Sequence, residues 1–114
     1  MQATPIEIIS PQFLTSSVIT YYTSPPRKRT IISKVTFLNQ ASSIATFDLF
    51  LVPEGESATT SNKIMNDFQL GANESFSAYQ LEGLVMEPGS KLAISADATG
   101  SNSITVAASG LQVF

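Results

Sequence analysis

Cysteine, histidine and tryptophan are all absent from this chain of 114 residues. Without cysteine there is no disulfide framework and no zinc–thiolate site. Without histidine the chain lacks the commonest metal ligand and the only side chain that titrates near neutral pH unperturbed. Nucleophilic or acid–base chemistry would then fall to a Ser–Lys pair or a carboxylate dyad. The candidates, Glu54 and Glu56, stand two apart on a turn, where carboxylates serve simply as solvating charges. No glycine-rich phosphate loop, calcium loop or His–Glu metal helix occurs, so neither an enzyme activity nor a cofactor is expected. Lacking tryptophan, a sugar-stacking platform would have to be built from Tyr21, Tyr22 and Tyr79.

Charge is also scarce. Only 13% of residues are charged, and a net charge of −3 with a pI near 4.6 argues against general affinity for nucleic acid. Abundant Ser and Thr suit a surface covered by other subunits, because hydroxyls are cheaper to desolvate than ions. They suit an ordinary soluble all-β domain equally well. No apolar run is long enough to span a membrane. The start, MQATPIEII, has no basic region ahead of an apolar core, so no cleaved secretory signal is expected.

The length sets one domain over residues 1–114, with one core and no metal or disulfide staple. Its centre is Thr30–Val52. Ile31, Val35 and Phe37 share one face of an extended run, with Lys34 and Thr36 on the other; after Asn39–Ser43, Phe47, Leu49 and Leu51 oppose Thr46 and Asp48. Alternation on both sides of a polar break reads as a long central hairpin, since strand side chains point to opposite faces in turn.

Around it the chain reads as short strands and turns. Pro5–Ile9 is a strand that Pro11 ends or places at an edge, and residues 1–12 form an edge strand or an N-terminal arm. Phe13–Thr23 reads as the next strand, kinked at Ser16-Ser17. Pro53–Glu56 is a turn and Ser57–Asn62 a polar loop. Lys63–Leu70 reads as a strand with Ile64, Phe68 and Leu70 inward, although Ile64, Met65 and Phe68 would also fit one helical turn.

Gly71–Glu74 is a turn and Ser75–Tyr79 a short strand. In Glu87–Ser90, Pro88 and Gly89 match a type II turn. Lys91–Asp97 places Leu92, Ile94 and Ala96 inward, Ala98–Ser103 is a flexible loop, and Ile104, Val106 and Ala108 face the core. About eight short strands with turn signals between them predict an antiparallel β-sandwich of jelly-roll or immunoglobulin-like type.

The one charged constellation is Arg27-Lys28-Arg29, half the cations of the chain, just after Tyr21, Tyr22 and a Pro-Pro break. It reads either as a solvated loop or as a contact with an acidic protein surface; three cations are too few for strong phosphate binding. Leu111, Val113 and Phe114 are apolar near the chain's end and are buried either in the last strand or at an interface. Candidate contact residues are therefore Arg27, Lys28, Arg29, Tyr21, Tyr22 and Phe114. Asn73-Glu74-Ser75 matches a glycosylation acceptor, a chance match in the absence of a secretion signal.

Taken in order, YYTSPPRKRTII, ISKVTFLNQ, ATFDLFLVPEGES, SNKIM and LVMEPGSKLAISA resemble a family of small all-β virion proteins of tailed bacteriophages, over Tyr21–Phe114. The resemblance implies a structural subunit without cofactor or catalytic residues. It would be a capsid decoration or cement protein on the major capsid lattice, or else a tail, collar or fibre component. Its partners would be other virion proteins and further copies of itself, with neither nucleic acid nor membrane, and its place the virion, assembled in the host cytoplasm. A carbohydrate-binding module for host recognition is the alternative of a different class.

Overall fold

A computed structural model of the protein describes residues 3–113; Met1, Gln2 and Phe114 lie outside the described residues. The strands are β1 (Ala3–Phe13), β2 (Ile19–Thr23), β3 (Arg29–Asn39), β4 (Ala45–Val52), β5 (Lys63–Leu70), β6 (Ser75–Ser77), β7 (Val85–Met86), β8 (Lys91–Ala96) and β9 (Ile104–Val113). A single 3₁₀ turn, Tyr79–Leu81, separates β6 from β7.

They form two antiparallel sheets. One runs β1-β9-β3-β6, with β7 on the same edge of β3 as β6, and the other runs β2-β8-β4-β5. Since β6 and β7 together make one interrupted edge, eight strand positions remain. The chain changes sheet at every connection except β4–β5 and the β6–β7 interruption. That double Greek-key order is the jelly roll, and of the two sandwich types expected it is the one present.

Thr30–Val52 is therefore not a hairpin. β3 and β4 lie in different sheets, and Gln40–Ile44 crosses between them. Alternation reveals which residues face the core but carries no information on the partner strand. At the crossing Asn39 is wholly buried. Its amide nitrogen donates to the carbonyls of Ser43, Leu70 and Gly71 at 3.0, 3.2 and 3.0 Å, and its oxygen accepts from the Ala41 N–H at 3.0 Å. This one side chain ties the end of β3 to the turn after β5.

The core lies between the sheets. At its centre Phe37 of β3 stacks on Phe47 of β4 at 4.1 Å between centroids, packed among Leu49, Leu92, Ile94, Ile104 and Val106. Leu51 packs against the same core as its alternation predicts, while Phe50 and Val52 face outward. With Ala93 and Ala58 they form a small outer cluster under the Ser57–Asn62 loop.

Bulges displace two expectations, and element boundaries displace others. In β3 the register shifts between Ile32 and Lys34, so Thr30 and Ile32 face the core and Ile31 faces out, before Val35 and Phe37 resume the inward face. In β5 Asp67 adopts φ +46° and its N–H donates to Asp48 Oδ1 at 2.6 Å. That irregularity leaves Met65 buried and Ile64 exposed, the reverse of the simple alternation. The segment Phe13–Thr23 is two strands, not one kinked strand: β1 runs on to Phe13, and Leu14–Val18 crosses to the other sheet. Ser75–Tyr79 is strand only to Ser77 before the 3₁₀ turn. Ala98–Ser103 is a bonded turn, with Gly100 N–H on Asp97 Oδ1 and Ser101 N–H on the Asp97 carbonyl.

Candidate protein-contact surface

One end of the sandwich carries both described chain ends. Ala3 of β1 pairs with Val113 of β9, which pairs in turn with Arg29 of β3. The Ser24–Lys28 loop lies beside Glu87–Ser90, joined by Ser24 N–H to the Ser90 carbonyl (2.8 Å) and Gly89 N–H to the Ser24 carbonyl (2.9 Å). Beneath them sits a buried hydroxyl chain. Tyr22 and Thr30 hydroxyls meet at 2.7 Å, Thr30 and Ser24 at 3.0 Å, and the Ser24 hydroxyl donates to the Lys28 carbonyl at 3.1 Å. Ser24 and Thr30 are fully buried, so the basic loop stands on a base with its polar groups satisfied.

The candidate residues divide on this frame. Arg27 is exposed at the loop tip; Arg29 begins β3 and its Nε lies 3.1 Å from Glu87 Oε1, an exposed pair. Lys28 closes the turn through its N–H on the Pro25 carbonyl. Tyr21 and Tyr22 are half-buried against the core rather than presented outward. The Tyr21 hydroxyl donates to the Phe13 carbonyl at 3.3 Å. Partial burial raises the Tyr21 pKa above its usual 10.0, with a backbone hydrogen bond from Thr15 acting against the rise. Phe114 lies outside the described residues.

The outer face of the β1-β9-β3-β7 sheet adds what the linear pattern did not show. Directly opposite strand neighbours point to the same face. Since Ile32, Gly110 and Met86 turn inward, Pro5, Leu111, Ile31 and Val85 turn outward, in register across all four strands. They form an apolar row from edge to edge, with Pro5 and Val85 exposed and Leu111 and Ile31 half-buried. The next outward row at the basic end is Ala3, Val113 and Arg29. Leu111 and Val113 thus belong to β9 but face away from the core. An apolar row bordered by cations has the composition of a protein-contact surface.

No family model, curated protein or solved structure matches this chain. Among the described residues no three His, Cys, Asp or Glu side chains come together as a metal site. The Glu54 carboxylate packs over Gly89, and Glu56 borders a shallow depression of about 320 Å³ with Val18, Val52 and Lys91. A second depression, about 340 Å³, lies on the outer face between Glu7 and Lys34. Of the three tyrosines, Tyr79 alone is fully presented, at 70% exposure, at the outer end of an aromatic series through Phe76, Phe68 and Phe47.

Proposed function

We propose that this protein is a non-enzymatic virion subunit of a tailed bacteriophage, a decoration or cement protein that docks on the major capsid lattice. The observation that carries the docking half is the apolar row Pro5–Leu111–Ile31–Val85 beside a cationic loop held on buried hydrogen bonds. A preorganised surface loses little conformational freedom on binding, and lattice symmetry multiplies modest contacts into stable attachment. The virion half rests on the resemblance over residues 21–114. A jelly-roll sandwich is compatible with it, and also with lectins and other folds of the same architecture.

Mass spectrometry of purified particles tests the reading. Hundreds of copies per particle support the shell, a few tens place the protein in tail, collar or fibre, and absence from particles overturns the virion role. Val85→Asp, which places a charge in the exposed apolar row without touching the core, is expected to abolish attachment and leave the fold intact. The exposure of Tyr79 favours one second reading, a sugar-stacking site; a glycan array on which Tyr79→Ala abolishes signal would support that reading instead.

A further inference from the structure

Six turns among the described residues share one geometry: a hydrogen bond from the fourth residue to the first, and positive φ at the third. They are Pro25–Lys28, Pro53–Glu56, Gly71–Glu74, Leu81–Leu84, Glu87–Ser90 and Gly100–Ser103. In five of them the third residue is Gly55, Asn73, Gly83, Gly89 or Asn102, the types that tolerate left-handed backbone. In the sixth it is Arg27, at φ +64°. A long cationic side chain occupies the slot that the rest of the chain reserves for Gly or Asn.

Strain of that kind calls for a compensating role, and stability supplies none here. Among the described residues Arg27 has no hydrogen-bond, ion-pair or ring partner, whereas Arg29 two positions on is held by Glu87. The loop beneath Arg27 is fixed by the Ser24, Thr30 and Tyr22 hydroxyls, so the guanidinium projects from a rigid stem.

We propose that Arg27 is the anchor of the docking surface, pairing with a carboxylate on an acidic protein partner while the apolar row packs beside it. This rests on the docking reading above and names the chemistry of the partner. A guanidinium fork matches a carboxylate through two parallel hydrogen bonds. Two observations favour a protein over a polyanion. Glu54 and Glu87 flank the loop and would repel a continuous phosphate backbone, and Ile31, Leu111 and Val85 offer an apolar face that such a backbone cannot use.

The test adds purified chain back to virions stripped of it, using wild type, Arg27→Gly, Arg27→Asn and Arg27→Lys. Gly and Asn fit the turn, so Tm holds or rises by up to about 4 °C while affinity falls tenfold or more; Lys keeps the charge without the fork and falls between. Wild-type binding is also expected to weaken with added salt. Equal binding by Arg27→Gly and wild type overturns this inference and leaves the docking reading standing. So does a fall in Tm with Arg27→Gly, because the side chain would then be holding the fold. Failure of wild type to bind stripped virions overturns both. Arg27-dependent binding to a single-stranded DNA 20-mer or to anionic phosphatidylserine vesicles at the same salt overturns the acidic-protein assignment in favour of phosphate.

Discussion

Asn39 shows how much of this fold hangs on a single side chain. Its fully buried amide holds three carbonyls and one N–H from two separate segments, residues 41–43 and 70–71. Asn39→Ala would strip the buried Leu70 carbonyl and three part-buried groups of this partner, at roughly 1–3 kcal/mol for each left unsatisfied. We expect a loss of at least about 2 kcal/mol in urea unfolding, seen as a lower midpoint with an unchanged slope. Asn39→Asp should cost more, since a carboxylate would face the carbonyls of Ser43, Leu70 and Gly71. Tyr21 gives a pH signature of opposite kind. Burial raises its pKa in the folded state, so the native protein holds the phenolic proton more tightly than the unfolded chain does. The associated stability is complete below pH 10 and is lost as pH rises through the higher folded value. Tyr21→Phe should flatten that alkaline decline in a series of thermal melts. Neither role was legible locally: Asn39 reads as a polar residue at a strand end, and its partners at positions 70 and 71 lie far along the chain.

At the scale of the element, the strands were legible and their irregularities were not. Period-two alternation marks β3, β4, β8 and β9 because each turns every second side chain to the core, even where β4 and β8 also bury part of their outer face. The turns at Gly55 and Gly89 were legible for a separate reason, the positive φ that glycine permits. A bulge leaves no such mark. Ser33 is an ordinary residue in a strand, yet the register shift there moves the inward position from Ile31 to Ile32. The distinction is measurable. Ile32, at zero exposure in the core, should lose about 2–5 kcal/mol on replacement by Ala. Ile31, half-buried on the outer face, should lose about 1 kcal/mol or less. Equal losses, or a larger one at Ile31, would mean that β3 runs through without the bulge. The same reasoning explains the apolar outer row. Once Ile31 is known to face outward, Leu111, Pro5 and Val85 follow from the register, but the linear pattern assigned Ile31 to the core and so concealed the row.

For the whole molecule the deciding contact is between the two ends of the chain. β1 pairs along β9 from Ala3 opposite Val113 to Phe13 opposite Thr105, and it brings Ile8 and Ile9 into the core. An exchanged arm would leave the rest of the sandwich complete without it; an integral strand would not. Burying Ile8 and Ile9 contributes roughly 1.5–3 kcal/mol each, a large share of the roughly 5–15 kcal/mol that separates a typical domain from its unfolded state. Pro5 and Pro11 also blunt the free edge of β1, whereas β9 carries no proline and would become an unprotected edge in its absence. Removal of residues 1–13 is therefore expected to abolish the cooperative thermal transition and drive the remainder into aggregates. A synthetic peptide of residues 3–13, added in excess during refolding, should restore a sigmoidal melt whose midpoint rises with peptide concentration, because the strand adds back to a sheet edge that has lost its neighbour. A truncated chain that melts cooperatively by itself would instead make β1 a separable arm. The outer row, which includes Pro5, would then be completed by whichever copy supplied that strand.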